Sequence, residues 1–345
     1  MKVWQKIKDD LIKRILNKEF ELDAKFFSLN DLSREYGISD ITSRRIISEL
    51  VKAGYIKSFP GKGSYVKSRL ESKTIVLLSD SISDINEGGS LPNIHSEIYK
   101  GMLLQCGKMN AELRILSKKY LKNWPLDEKL LLILMGKTDG DDKEFADIFR
   151  RPNCKKIYCH VTEHIQGEVS VRIPYGKGIM LAVEHLIESG HKRIAFMCSS
   201  LKMRNMALRF DGYYECLKKH NLPVDFNLVK ELPGPNIVTD SAAVKDLLSI
   251  ENPPTAILTA NNSRALNVLE FCNKRGIKIP EKVALAAFDD IPESVLVQPR
   301  LTVVNTHWDK IGAETVRTIL EMAENDRTDY PDVIIKPDLI VREST

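Results

Sequence analysis

Apolar residues change their spacing along this chain, and the change divides it. Val3, Ile7, Leu11, Ile12 and Ile15 recur at helical intervals with Lys and Asp between them, which predicts an amphipathic helix. Ser28, with Asp31 three residues on and Leu29, Leu32 and Tyr36 around it, carries a capping-box signature for a second helix. Gly37 ends that helix in the left-handed conformation glycine tolerates. Ser39 caps a third helix with Thr42 at N3. Ile46, Ile47, Leu50 and Val51 are expected on its buried face, and Gly54 closes it. Residues 55–59 then alternate as a strand, 60–63 (Pro-Gly-Lys-Gly) turn, and 64–67 return. Three helices followed by a β-hairpin is the plan of a winged helix-turn-helix, spanning residues 1–68.

Residues 69–73 are polar and read as a linker. Beyond them the period alternates. Strands are expected at 74–78, 112–116, 130–135, 156–161, 193–197, 255–259 and 283–288. Helices are expected at 98–109, 145–149, 178–188, 209–220, 240–249 and 263–275. Such alternation predicts an α/β fold of doubly wound parallel sheets. A stretch of this length exceeds one sheet, so 74–345 is expected to form two lobes. Lobe 1 takes about 74–172 and 303–330, and lobe 2 about 175–299 and 332–345. Crossovers fall near 172–175, 299–303 and 329–334, with a ligand cleft between the strand ends.

Composition narrows the class. Of 345 residues, 43% are apolar and 28% charged, enough to bury a core. The longest aliphatic run, 130–135, falls far short of the roughly 20 residues of a membrane span, so no membrane partner is expected. The charged start, Met1-Lys2-Val3-Trp4-Gln5-Lys6, has no apolar stretch behind it and does not read as a signal peptide. Six Cys, none in a CxxC pair, suit a reducing cytoplasm. The net charge of +4 is uneven: residues 1–68 hold 14 Lys+Arg against 9 Asp+Glu, and the remainder 37 against 38. A basic front on a neutral body points to an anionic partner for the front. On the third helix Ser39, Thr42, Ser43, Arg44 and Arg45 are candidates to meet double-stranded DNA, with Lys62 and Gly63 at the hairpin tip.

Chemistry beyond binding finds little support. Gly136-Lys137-Thr138 mimics the end of a phosphate loop, but Leu131 stands where its first Gly belongs. Cys154, Cys159, His160 and His164 do not converge as zinc ligands, because Cys159 and His160 are strand neighbours facing opposite ways. Asp139-Gly140-Asp141-Asp142 lacks calcium-loop spacing. No metal, no cofactor and no enzymatic signature is expected; a sugar-processing α/β enzyme is the competing class.

Two resemblances add to this reading. Residues 7–11 (Ile-Lys-Asp-Asp-Leu), 31–39 (Asp-Leu-Ser-Arg-Glu-Tyr-Gly-Ile-Ser), 49–56 and 61–66 (Gly-Lys-Gly-Ser-Tyr-Val) resemble the GntR family of bacterial regulators. Asp40 and Asn30 depart from it where the family carries basic residues that touch DNA. Residues 182–195, 209–213 (Arg-Phe-Asp-Gly-Tyr), 254–257, 276–281, 288–290 and 337–345 are similar to the lac repressor/GalR sensors. Together they look like the hybrid arrangement of arabinose-type repressors. The resemblance implies a periplasmic-binding-protein-like fold, a homodimer and a small effector, often a sugar or sugar derivative; a non-sugar metabolite is the alternative. It also implies that Arg209 grips the ligand. Asn262 stands where the family usually has Asp. Asp289, Asp80, Ser81, Trp308, Ser199, Arg204 and Asn205 complete the candidate effector contacts.

Overall fold

The computed structural model describes residues 3–16, 19–21, 24–52, 55–66, 73–78, 94–116, 121, 129–135 and 145–345. The expected helix stop at Gly54, most of the 69–73 linker, the effector candidates Asp80 and Ser81, and the 136–142 turn lie outside these residues. By packing, the chain divides into two units: Met1–Ile75 with Gly107–Glu112, and Val76–Cys106 with Leu113–Thr345.

The first unit opens with helices α1 (Val3–Leu16), α2 (Leu29–Tyr36) and α3 (Asp40–Lys52), followed by strands β1 (Ile56–Phe59) and β2 (Gly63–Val66). The Ser28 Oγ accepts from Asp31 N at 3.2 Å while Asp31 Oδ2 accepts from Ser28 N at 2.9 Å, so the capping box closes from both sides. Gly37 ends α2 at φ 61°. Leu11, Leu32, Ile46, Leu50, Ile56 and Val66 bury one shared core. Arg14 ties α1 to α2 by donating to Tyr36 Oη at 3.0 Å and to Glu35 at 3.3 Å. A short segment reinforces the hairpin: Phe26 N donates to Ser64 O and Val66 N to Ala24 O, at 2.7 and 2.8 Å. The sequence offered no signal for that pairing.

Helix α3 corrects two expectations. Ser43 does not face solvent. It is fully buried and bonds Ser33 Oγ at 2.9 Å, because it lies three and seven residues before Ile46 and Leu50 and so shares their stripe. Val51, expected inside, is 38% exposed, since it and Ile47 sit at the edge of that stripe.

The second stretch runs β3 (Lys73–Leu78), α4 (Ile94–Met109), β4 (Ala111–Leu116), β5 (Leu130–Met135), α5 (Ala146–Phe149), β6 (Cys154–Val161) and β7 (Ser170–Arg172). It continues α6 (Tyr175–Glu188), β8 (Ile194–Cys198), α7 (Arg204–Lys219), β9 (Val229–Glu231), α8 (Ile237–Ser249), β10 (Ala256–Thr259), α9 (Asn262–Lys274) and β11 (Ala284–Phe288). It ends β12 (Thr302–Asn305), α10 (Trp308–Glu324), β13 (Val333–Ile334) and β14 (Asp338–Ile340). The strands form two six-stranded sheets, ordered β13-β7-β6-β5-β3-β4 and β14-β12-β11-β10-β8-β9. In the second sheet β8, β10, β11 and β12 pair in parallel and β14 runs antiparallel at the edge. Strands β8, β10 and β11 are buried throughout, as apolar runs covered on both faces must be.

Three segments pass between the sheets. The first is at 173–174. The second is at 306–307 rather than 299–303, because Thr302–Asn305 pairs with β11 and β14 before the chain leaves. The third is at 335–337 rather than 329–334, because Val333–Ile334 pairs with β7. Both strands are too short for periodicity to assign to a sheet. Helix α10 then packs on β5, β6 and β7. Its approach to α4 depends on two glycines: a Cβ on Gly101 would fall 1.9 Å from Asp309 O, and one on Gly312 1.9 Å from Ile98 O.

Candidate functional site

The end of β11, the second turn of α7 and the start of α9 bring three of the predicted residues together. Asp289 follows β11 with φ 77°, a left-handed backbone that aims its carboxylate back over the sheet end. Its N donates to Val304 O at 3.0 Å, and Thr306 Oγ1 donates to its Oδ1 at 3.2 Å. Arg209, on α7, is 3% exposed. Its Nη1 donates to Ala260 O and stands 3.7 Å from Asp289 Oδ2. The guanidinium lies over the Phe288 ring at 4.0 Å and the Tyr175 ring at 4.9 Å, two cation–π contacts that lower the cost of holding the charge in the interior. Burial pushes the Asp289 carboxyl above its ordinary range, opposed by Arg209, Thr306 and Trp308. Asn262 opens α9, whose cap Asn261 accepts from Arg264 N at 3.0 Å. The Asn262 amide Nδ2 donates to Asp289 O and Ser294 Oγ, both at 2.8 Å.

Trp308 joins this group from the first turn of α10. Its indole stands edge-on to His160 at 4.9 Å and 86°. His160, at the end of β6, bonds Tyr175 Oη through Nε2 at 2.7 Å. Burial, with help from His95 and Arg209, drives the His160 pKa down to about 3, so the ring is neutral at physiological pH. Tyr175, pushed up by the same burial, keeps its proton. His160 and Trp308 belong to elements of the first sheet's lobe, and Tyr175, Phe288, Arg209, Asn262 and Asp289 to the second. The cluster therefore spans the seam between lobes.

Several buried polar atoms near the seam have no hydrogen-bond partner among the described residues: Arg209 Nε, Asn262 Oδ1, Trp308 Nε1 and Tyr99 Oη. An orphaned buried group costs about 1–3 kcal/mol. Donors and an acceptor left open in this way suit a ligand with hydroxyl-like groups that can both give and take a hydrogen bond.

Three other predicted residues do not join the cluster. Ser199 accepts from Arg264 at 3.4 Å, within the second lobe. Arg204 is exposed and donates through Nε to Glu163 at 2.7 Å, an ion pair that crosses between lobes. Asn205 accepts from Met206 N at 2.9 Å. Conversely, the sequence reading missed Tyr175, Phe288 and Thr306 and treated His160 only as a failed zinc ligand. Tyr175 and Thr306 flank the first two crossings, and placement beside a crossing was the signal available for them.

In the first unit, Ser39 is exposed just before α3, Arg44 and Arg45 are exposed on it, Thr42 is half-buried, and Lys62 and Gly63 are exposed on the hairpin. Ser39 Oγ and Thr42 Oγ1 bond each other at 3.0 Å. Arg45 stacks on Trp4 at 4.1 Å. A groove of about 720 Å³ runs between α3 and the hairpin, and its lining includes Asn30, Arg44, Ser48, Phe59, Gly61 and Gly63. Gly61 and Gly63 have φ of 73° and 96°, which this tight turn demands of glycine. No helix among the described residues is long and apolar enough to cross a membrane.

Comparison with known proteins agrees with this geometry. Residues 183–345 match the family model of the periplasmic binding protein-like domain. An arabinose metabolism transcriptional repressor of Geobacillus stearothermophilus is 23% identical, over 98% of this chain and 96% of that one. The transcriptional repressor PurR of Haemophilus influenzae (strain PittEE) is 30% identical over 48% of this chain, so that the match spans half the length of that relative. Among solved structures, the complex of the transcriptional regulator CelR with cellobiose superimposes with a TM-score of 0.64 at 19% identity. It covers 89% of this chain and 92% of that one, which shows the fold. These relatives are regulators rather than enzymes. The chain is a transcriptional regulator whose C-terminal part is a periplasmic-binding-protein-like domain.

Proposed function

We propose that this chain is a cytoplasmic, ligand-responsive repressor that binds operator DNA as a homodimer and releases or tightens its hold when a small sugar or sugar derivative enters the lobe seam. The seam cluster carries the reading. Arg209, Asn262 and Asp289 converge there, and Arg209 Nε and Asn262 Oδ1 have no partner among the described residues. Effector bonds to those atoms from one lobe and to Trp308 Nε1 from the other would favour one lobe angle. An effector shifts DNA affinity only by its preference for one state, typically about 1–3 kcal/mol. Glu163–Arg204 acts as a tie across the seam, and Asp80 and Ser81 remain effector candidates from the sequence.

The α3–hairpin groove supports the DNA half of the proposal. Arg44 lines it, Lys62 stands in the chain between its lining residues Gly61 and Gly63, and Arg45 is exposed while stacked on Trp4; these cations are proposed to meet phosphates and base edges. Ser43 is withdrawn from that role. A non-sugar metabolite such as a purine is the second reading, favoured by the flat faces of Tyr175, Phe288 and Trp308 at the seam.

A thermal-shift screen with mono- and disaccharides, sugar acids and nucleobases tests the ligand class, because a ligand selective for the folded form raises Tm by mass action. A saccharide is expected to raise Tm and to change operator affinity in fluorescence anisotropy. Equal operator affinity with and without every stabilising compound would refute the mechanism. Arg44→Ala is expected to weaken DNA binding and reduce its salt dependence while ligand binding stays intact.

A further inference from the structure

Helices α6 and α7 pack in unusually close approach. A Cβ on Gly212 would fall 2.3 Å from Gly176 O, so two glycines let the backbones meet. At the far end of this pair, one ligating atom each from Glu184, Cys216 and His220 lies within 4.8 Å of the other two. Cys216 and His220 are one turn apart on α7 and its C-cap, so they share a face; Glu184 meets them from α6. We infer that this triad is a site for a zinc-class divalent cation, bound by thiolate sulfur, imidazole nitrogen and carboxylate oxygen, with a fourth position open to water.

The chemistry of the three donors favours that class. Sulfur, nitrogen and oxygen together suit a borderline-soft, tetrahedral ion rather than calcium or magnesium, which take oxygen alone. Zinc bond lengths place such donors about 3.3–3.6 Å apart, so closing the site requires side-chain movements of about 1 Å. Each donor is free to make that movement. The Cys216 thiol donates one long hydrogen bond among the described residues, to Met180 O at 3.8 Å. The His220 ring makes no side-chain hydrogen bond among the described residues. Glu184 is held by Lys219 Nζ at 2.7 Å, and that lysine side chain is 60% exposed. The carboxylate thus already holds a positive charge, one that can swing into solvent. On binding, the Cys216 thiol gives its proton to solvent and the metal takes its place. The sequence does not show the site, because Glu184 is remote from Cys216 and His220 along the chain. The metal-free expectation rested on the other cysteines.

Cobalt(II) added to the full-length, metal-stripped chain tests this directly. A thiolate-to-cobalt charge-transfer band and tetrahedral d–d bands are expected, saturating at one equivalent per chain, with zinc displacing the cobalt. Cys216→Ala is expected to abolish the charge-transfer band. His220→Gln, a milder change, is expected to weaken zinc binding by more than about 100-fold in chelator competition, beyond the 10–100-fold typical of outer-sphere partners. Absence of the band from the folded wild type, its survival in Cys216→Ala, or unchanged zinc affinity in His220→Gln would each overturn the assignment.

Discussion

The second lobe contains two buried arginine–aspartate pairs that look alike in composition and differ in completeness. Arg264 and Asp240 are both fully buried, within the lobe, and in direct contact. Arg264 Nη2 also donates to Pro233 O at 2.7 Å, and Asp240 accepts from Asn267 Nδ2 at 2.7 Å and Asn236 N at 3.2 Å. Arg209 and Asp289, at the seam, stand 3.7 Å apart. Asp289 accepts from the Thr306 hydroxyl, feels the Trp308 side chain beside it, and sits on a left-handed backbone. A buried ion pair is stable when further hydrogen bonds satisfy its remaining lone pairs and protons. The first pair is the more fully bonded, although Arg264 Nε has no partner among the described residues, and it braces the lobe. The second has capacity to spare at the place where the lobes meet, and that spare capacity is what a ligand can use.

The largest expected effect sharpens this contrast. Arg264→Met strands Asp240 without a cation in the interior, and urea denaturation is expected to show a loss of about 3–5 kcal/mol. Arg209→Gln is expected to destabilise the protein less, because Asp289 already lies toward protonation and can take up a proton once Arg209 is gone. It is instead expected to weaken effector binding by about 10–150-fold, the value of a charged hydrogen bond worth roughly 1.5–3 kcal/mol, read by calorimetry. If the two variants lost equal stability, the distinction between brace and grip would fail.

A pH titration of stability examines the other side of the seam. The His160 pKa falls from 6.5 to about 3 on folding, so the unfolded chain binds more protons between those values. Stability contributed by the neutral ring is therefore complete above about 6.5 and declines as pH falls below it, by up to about 1.4 kcal/mol per pH unit. His160→Gln is expected to flatten that part of the profile. The smallest effect belongs to Glu163→Gln. This exposed pair is worth about 0.2–1 kcal/mol. Its loss is expected to leave the melting temperature almost unchanged while shifting effector affinity slightly, and the shift should shrink at high salt.

Legibility followed the range of the interactions. The capping box at Ser28 and Asp31, the glycine stop at Gly37 and the hairpin turn at Gly61 to Gly63 were all readable, because each is decided within a few residues. Helix periodicity placed Ile46 and Leu50 correctly. Ser43 was misplaced because its hydroxyl was read as a surface group, while its position on the stripe and the facing Ser33 draw it inside. At the seam, the motif around Arg209 and the residues after β11 were visible. Their partners Tyr175 and Thr306 were not, since they reach the cluster from separate elements, and Phe288 read only as the end of a buried strand.

Local propensity and the alternation of periods settled the order of elements, the α/β class and the existence of two lobes, because backbone hydrogen bonding and burial patterns act over one strand or one turn. Packing settled which lobe receives Thr302–Asn305 and Val333–Ile334, which arginine–aspartate pair is the more fully bonded, and that Glu184 meets Cys216 and His220. Those outcomes depend on contacts between residues far apart in the chain. Their energies become available once the sheets have formed and the intervening loops have closed.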